Sequence, residues 1–204
     1  MIAIITGDLI NSAQHSSEEW MADLKSYFSR FGTSPLYWEI YRGDEFQLKV
    51  NRNNALKTAI QIKALVKSTK GLDVRMGIGI GLETFVGSGV GESNGPAYQR
   101  SGRNFETLKD KKVNLSISTG NAFQEETLNL MLKLALHFMD DWTAVSAEII
   151  ALVLDHENAS QKQVAEKLGI KQSAVSQRLK RARYDLVQDL LSFYNDFITK
   201  EMTN

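Results

Sequence analysis

Two adjacent helix signals between Ser160 and Arg183 constrain the fold of this chain more than any other stretch. Ser160 is a favourable N-cap, and Gln163, three residues later, completes a capping box that begins a helix. Gly169 can adopt the left-handed backbone conformation that commonly ends a helix. The stretch therefore predicts a short helix, a tight turn and the start of a second helix.

The second helix is predicted to begin at about Gln172 and to bury one side. Three apolar residues recur at helical spacing on that side: Val175, Leu179 and Ala182. The opposite side is polar at its start and basic at its end. This order suits a major groove, since short polar side chains reach base edges and cations reach phosphates. The six candidate DNA-contacting residues are Ser173, Ser176, Gln177, Arg178, Lys180 and Arg181.

The charge of the stretch favours this interpretation over a plain helical hairpin with a solvated basic face. Seven Lys or Arg residues stand between Ser160 and Arg183 against one acid, Glu166, whereas the whole chain has a formal net charge of +0. A local excess of this kind is typical of a nucleic-acid-binding surface. The plain hairpin remains the alternative.

The same stretch resembles the last, promoter-reading domain of bacterial sigma factors. The matching residues are Ala165, Glu166, Leu168, Gly169, Ile170, Val175, Arg178, Leu179, Arg181, Ala182 and Arg183. The resemblance covers the C-terminal part of the chain and implies a helix-turn-helix that reads duplex DNA.

Composition is that of an ordinary globular protein and excludes several kinds of site. Hydrophobic residues make up 43% and charged residues 24% of the 204 residues, which suits one large domain or two small ones. The absence of cysteine excludes disulfides and thiolate metal sites. No apolar run approaches the ~20 residues of a membrane span, and the apolar N-terminus lacks the basic start of a signal peptide. We therefore expect a cytoplasmic protein.

The first 120 residues predict an α+β sheet with its helices on one face. Ile2 to Thr6 form an apolar, β-branched run typical of a central strand, and Gly7 and Asp8 are predicted to end it. The other predicted strands are Leu36 to Arg42, Phe46 to Val50, Leu72 to Gly81 and Val113 to Thr119. The predicted helices are Ser17 to Phe31, Asn53 to Thr69 and Pro96 to Leu108.

Glycines in the strand from Leu72 to Gly81 leave one of its sides bare. Gly77 and Gly79 alternate with apolar residues there, so another element can pack close to the backbone. Everything after Thr119 is helical in pattern. We predict three units: a sheet domain at 1–120, a connector or dimer helix at 121–142, and an all-α helix-turn-helix domain with a C-terminal helix at 143–204.

Three acidic residues of the sheet domain are candidate ligands. Asp8 is predicted to end the first strand, while Asp44 and Glu45 belong to the tip of a hairpin. If the two strands are neighbours, Asp8 and Asp44 would hold Mg²⁺ on a nucleoside triphosphate, since this ion prefers oxygen ligands. Glu45 is either a third ligand or a turn residue. A Gly-Asp-Glu turn with no ligand is the structural alternative.

These motifs resemble those of class III nucleotidyl cyclases. TGDLINS at Thr6 to Ser12 is similar to the first metal-binding strand of that family. RGDEF at Arg42 to Phe46 is similar to its hairpin and to that of GGDEF-type cyclases. The resemblance implies a ferredoxin-like, cyclase-like palm with Asp8 and Asp44 as metal ligands that also bind the nucleotide.

The resemblance continues in GPAYQRSGR at Gly95 to Arg103, which is similar to the helix that carries the transition-state groups of the cyclases. Arg103 matches the arginine of that helix, and Gln99 occupies the asparagine position. Glu92 lies near the position that selects the base, which implies a part in cofactor binding. If the domain is an enzyme, Arg103 and Glu45 are its candidate catalytic residues.

Taken together, TGDLINS, the GDEFQ hairpin and the C-terminal helical motif resemble the SatD family of small bacterial proteins. This resemblance spans most of the chain, and it implies no established reaction.

We interpret the chain as a DNA-binding transcriptional regulator of the SatD type whose front domain senses a nucleotide with Mg²⁺. A homodimer is expected, because helix-turn-helix proteins usually bind two half-sites about one helical turn apart. The competing hypothesis is an enzyme, a Mg²⁺-dependent nucleotidyl cyclase or nucleotidyltransferase with an appended helix-turn-helix. A third is an interaction protein in which neither site has a ligand.

Overall fold

The computed structural model describes residues 1–41 and 43–201, without the side chains of Glu19 and Glu201. Arg42, which the predicted second strand and hairpin motif share, and the C-terminal residues 202–204 of the predicted last domain lie outside the described residues. The strands are β1 (Ile2–Ile10), β2 (Trp38–Tyr41), β3 (Glu45–Asn51), β4 (Asp73–Gly81) and β5 (Leu115–Ser118). The helices are α1 (Glu18–Phe28), α2 (Ala55–Ser68), α3 (Pro96–Lys111), α4 (Ala122–Met139), α5 (Ala144–Asp155), α6 (Gln161–Leu168), α7 (Gln172–Arg181) and α8 (Tyr184–Glu201).

β1 is the centre of the sheet, whose strand order is β2-β3-β1-β4-β5. It pairs antiparallel with β3 on one side and with β4 on the other, so Asp8 lies opposite both Glu45 and Arg75. β2 pairs antiparallel with β3, and β5 runs parallel to β4. The mixed α+β architecture predicted from the sequence is confirmed.

β1 extends beyond its predicted end. Gly7 and Asp8 lie inside the strand, which continues to Ile10. A Cβ atom at Gly7 would lie 2.6 Å from the Phe46 ring and 2.8 Å from the carbonyl oxygen of Arg75, so the neighbouring strands require glycine there. The prediction that Gly7 and Asp8 end the strand is wrong, because pairing with two neighbours outweighs the turn preference of these residue types.

Helices cover both faces of the sheet. Ala3 and Ile5 of β1 belong to a large buried cluster that also contains residues of α1 and α2. Ile4, which alternates with them, packs instead with Ala97 of α3 in a second cluster. The prediction that the helices lie on one face is wrong, because α3 occupies the opposite face from α1 and α2.

The bare side of β4 lets α3 approach the sheet closely. A Cβ atom at Gly79 would overlap the carbonyl oxygen of Ala97 and the amide nitrogen of Ser101, both in α3. At Gly77 it would lie 2.7 Å from the amide nitrogen of Phe105. The close packing predicted from these glycines is confirmed, and α3 is the element that uses it.

The C-terminal helices are attached to the sheet domain through α2, on which α5 packs. Buried side chains form one continuous cluster from the sheet through α2 and α5 to α8. Trp142, just before α5, donates a 2.9 Å hydrogen bond from Nε1 to the carbonyl oxygen of Ala182 at the end of α7. The predicted unit boundaries at residues 120 and 142 remain predictions.

No helix in residues 1–41 and 43–201 combines the length and the apolar character that crossing a membrane requires.

Two glycine-to-alanine substitutions test the contact between α3 and the sheet. Gly79→Ala is expected to lower the free energy of unfolding by about 3 kcal/mol, because the new methyl group would displace the backbone of α3. Gly102→Ala is the matched control, since a Cβ there has nothing within 4 Å. It should raise the free energy of unfolding by about 0.5–1 kcal/mol through helix propensity. Urea unfolding measures both, and equal effects would contradict the close contact between Gly79 and α3.

Candidate functional site

Local features fix the turn between α6 and α7. Ser160 Oγ accepts a hydrogen bond from the Gln163 amide, and the Gln163 side chain accepts one of 2.8 Å from the Ser160 amide. The predicted capping box is thus present. Gly169 ends α6 with a φ of 63°, a conformation that glycine adopts without steric cost. Ile170 is half-buried against the core, and α7 begins at Gln172 as predicted.

α7 buries one side and exposes the other. Val175 and Ala182 are fully buried and Leu179 is half-buried against the same cluster, as their spacing predicts. The exposed side chains include five of the six candidate DNA contacts: Ser173, Ser176, Gln177, Lys180 and Arg181. The last three of these line a shallow depression together with Arg183. This surface offers hydroxyl, amide and cationic groups, which are donors for phosphate oxygens and base edges.

Arg178, the sixth candidate, differs from the other five. Its Nη1 lies 3.1 Å from Oε2 of Glu148 in α5, and its side chain is 24% exposed. The ion pair joins α7 to α5. Arg178 therefore helps to orient α7 as well as adding positive charge.

The register of β1 and β3 places Asp8 next to the hairpin that carries Asp44 and Glu45. Asp8 lies opposite Glu45, the residue after Asp44, so the two strands are neighbours as the metal hypothesis requires. Asp8 also forms an ion pair with Arg75 of β4, with Oδ1 3.0 Å from Nε and Oδ2 2.5 Å from Nη2. The two side chains are only 19% and 18% exposed. Arg75 therefore satisfies both oxygens of the Asp8 carboxylate in a partly buried position.

Asp44 holds the turn that follows β1. Its Oδ2 accepts a 2.7 Å hydrogen bond from Ser12 Oγ, and its carbonyl oxygen accepts one of 3.2 Å from the Leu9 amide. Glu45 is the first residue of β3. Burial, together with the nearby carboxylates of Glu39 and Glu45, raises the pKa of Tyr41 in the neighbouring strand β2.

These residues do not fit a resident Mg²⁺ ion as they are arranged. Mg²⁺ needs open carboxylate oxygens, whereas both oxygens of Asp8 contact Arg75 and one oxygen of Asp44 contacts Ser12. Within residues 1–41 and 43–201, no three His, Cys, Asp or Glu side chains come together as metal ligands. The Mg²⁺–triphosphate site stays a prediction, and such a ligand would have to replace existing contacts.

The other two front candidates have different surroundings. Glu92 lies in the loop between β4 and α3 and accepts hydrogen bonds from the Ser88 hydroxyl at 2.5 Å and amide at 3.3 Å, which lower its pKa. Arg103 is exposed on α3 and lines a groove with β5 and α4. Among the described residues, neither side chain forms a hydrogen bond or ion pair with Asp8 or Asp44. The front candidates therefore form no single site.

Sequence reasoning missed the polar layer between the sheet and α3. Ser101 of α3 is fully buried, and its Oγ lies 2.8 Å from both Thr6 Oγ1 and the Gly77 carbonyl oxygen. Gln47 Nε2 donates a 3.3 Å hydrogen bond to the same Thr6 hydroxyl. The signal was the alternation of polar and apolar residues in β1 and β3, which places Thr6, Asp8 and Gln47 on one side.

The family of this chain follows from a comparison that covers nearly all of it. A family model described as the SatD family matches residues 1–187, from β1 into α8. The chain belongs to the SatD family. This confirms the family resemblance carried by the TGDLINS and GDEFQ motifs, and the resemblances to cyclases and sigma factors remain predictions. No curated protein and no solved structure matches this SatD-family chain.

A double-mutant cycle tests whether Asp8 is committed to Arg75. The coupling free energy between Asp8→Ala and Arg75→Ala is expected to be about 1–3 kcal/mol, because removing one partner leaves the other charge partly buried and unpaired. Urea unfolding of the two single variants and the double variant gives the value. A coupling near zero would show that the Asp8 carboxylate is open to another ligand.

Proposed function

We propose that this protein is a transcriptional regulator that binds duplex DNA through α7. The observation that carries the proposal is the two-sided character of this helix. Its apolar residues anchor it in the core, and five polar or basic side chains face solvent along its other side. A helix anchored in this way can enter the major groove, which is about 12 Å wide.

The arrangement of α6 and α7 supports a helix-turn-helix as the binding module. Only residues 169–171 separate the two helices, which agrees with the three- to four-residue turn of that motif. In a helix-turn-helix, the first residues of the second helix contact base edges. In α7 these are Ser173, Ser176 and Gln177, while Lys180 and Arg181 follow at positions suited to phosphates.

The topology of the front domain supports a ferredoxin-like palm. The elements from β1 to β4 follow the chain order β-α-β-β-α-β, and the antiparallel sheet order β2-β3-β1-β4 is that of ferredoxin-like domains. α3 and β5 extend this unit. Nucleotide sensing with Mg²⁺ at Asp8 and Asp44 would require the ligand to displace Arg75 from Asp8 and Ser12 from Asp44. The enzyme alternative has no separate support, because Arg103 lines a groove that does not include Asp8.

We also propose that two copies associate through α4, within the predicted connector. Three large apolar side chains of this helix are exposed: Phe123 by 64%, Leu130 by 57% and Leu134 by 60%. Leu130 and Leu134 are four residues apart and lie on one side of the helix. A symmetric pair formed through this side would present two α7 helices to two half-sites.

The DNA proposal is tested by selecting duplexes from a random pool and measuring their affinity by fluorescence anisotropy. Gln177→Ala and Lys180→Ala are each expected to weaken binding about tenfold, because each removes a base or phosphate contact worth about 1–3 kcal/mol. The affinity of Lys180→Ala should also depend less steeply on salt: the slope of log affinity against log salt concentration should be smaller by about one.

Lys25→Ala is the matched control, because Lys25 is exposed on α1 and its substitution removes one positive charge at a distance from α7. It should leave DNA affinity unchanged. Weak, sequence-independent association by the natural chain, or equal losses in Lys25→Ala and Lys180→Ala, would contradict the proposal.

The dimer proposal is tested with a double substitution on α4. Leu130→Glu with Leu134→Glu should convert a dimer into a monomer in sedimentation equilibrium, since buried carboxylates at the contact are costly. Circular dichroism should show that the variant keeps its helices, because both side chains are exposed in the single chain, and its unfolding temperature should lose the concentration dependence that a dimer gives. A natural chain that is monomeric at all concentrations would rule the dimer out.

A further inference from the structure

A groove of about 540 Å³ lies between α3, the edge strand β5 and α4. Four basic side chains line it: Arg100, Arg103, Lys111 and Lys133. Glu125 is the only acidic residue among its described lining. The groove thus collects positive charge on a chain whose formal net charge is +0.

One carboxylate oxygen of Glu125 already accepts three hydrogen bonds from neighbouring groups. Its Oε1 accepts hydrogen bonds from Ser118 Oγ at 2.8 Å and from the amides of Thr119 and Gly120 at 2.9 and 2.8 Å. Across residues 1–41 and 43–201, no ion pair joins any of the four cations to a carboxylate. The four cations therefore outnumber the acid Glu125 in the groove, and their excess positive charge is available to a ligand.

One of the cations is held in place before any ligand binds. Arg100 Nη1 donates a 2.6 Å hydrogen bond to the carbonyl oxygen of Ile80. Its guanidinium also lies against Gly120, where φ is 81° and a Cβ atom would overlap the guanidinium. A guanidinium fixed in this way loses little conformational entropy when it binds an anion. Gly120, between β5 and α4, thus leaves the space that the Arg100 guanidinium fills.

The chemistry and size of the groove define the class of ligand. A cleft lined by charges of one sign concentrates counter-ions, and arginine pairs with phosphate through two parallel hydrogen bonds. Small-molecule sites commonly measure about 300–1,000 Å³, which includes this groove. Duplex DNA is bound by elements that protrude into its grooves, and a recess between two helices offers no such element.

We infer that the groove between α3, β5 and α4 binds a small anion with two or more linked phosphates. Arg100 and Arg103 contact the phosphates from α3, and Lys133 contacts them from α4. The site is separate from Asp8 and Asp44 and needs no metal, because the cations themselves balance the charge of the ligand. It goes beyond the DNA-binding function proposed for α7.

Calorimetric titration with inorganic tripolyphosphate, in buffer without divalent metal, tests the inference. The natural chain should bind, and Arg103→Ala and Lys133→Ala should each weaken binding about tenfold, since each removes a charge-assisted contact. Lys109→Ala is the matched control, because Lys109 is exposed on α3 outside the groove. It should bind like the natural chain, and so should Asp8→Ala.

Three results would overturn the inference. Absence of binding by the natural chain is the first. Equal losses in Lys109→Ala and Arg103→Ala would show general surface attraction, and loss in Asp8→Ala would place the ligand at the other site. Circular dichroism confirms that the variants fold, and their DNA affinity should be unchanged. A folded Arg103→Ala that no longer binds DNA would assign the groove to nucleic acid, whereas failure of the Lys180→Ala test would leave this inference intact.

Discussion

A fully buried lysine joins the sheet to the C-terminal helices. Lys63 of α2 has no exposed side-chain surface, and its Nζ lies 2.7 Å from Asp73 Oδ1 and forms an ion pair at 2.6 Å with Asp140 Oδ1. Lys67, one turn later, donates to Asp73 Oδ2 at 3.0 Å and to the Asp140 carbonyl oxygen at 2.7 Å. A buried ammonium is stable only with such partners, because its loss of hydration is large. Since Asp73 begins β4 and Asp140 follows α4, this network fixes where the chain leaves the sheet domain.

α2 also connects the sheet to the C-terminal helices, because it packs against the sheet on one side and against α5 on another. Gln61 of α2 donates a 2.9 Å hydrogen bond from Nε2 to the carbonyl oxygen of Ala151 in α5. α7 packs on α5 through the fully buried Val175, and the ion pair between Glu148 and Arg178 adds a contact at the surface. This buried packing sets the orientation of the exposed side of α7 relative to the sheet. In a dimer, the spacing of two such surfaces would depend on contacts deep in the core and not on a flexible linker.

Features that depend on neighbouring residues in the chain could be predicted from the sequence, whereas contacts between distant residues could not. The capping box at Ser160, the turn at Gly169 and the bare side of β4 depend on residues close in the chain or on one residue type, so spacing alone predicts them. The pairing of Asp8 with Arg75 depends on strand register, which is set by the whole sheet. The face that α3 covers depends on the crossover from β4 to the parallel strand β5. Neither followed from the motif around Asp8. That motif suggests a free acid at a strand end, whereas the acid lies inside a strand between two neighbours.

The zero net charge of the chain conceals how its charges are distributed. Ion pairs such as Asp8–Arg75 and Lys63–Asp73 remove one cation and one acid together, so they leave the balance unchanged. Among the other cations, Lys180, Arg181 and Arg183 lie together on the outer side of α7, and four line the groove between α3 and α4. Net charge governs solubility and non-specific binding, whereas local charge governs which anions are drawn to which site. The proposed DNA contact and the proposed anion site would therefore use two separate basic surfaces of one chain whose formal net charge is +0.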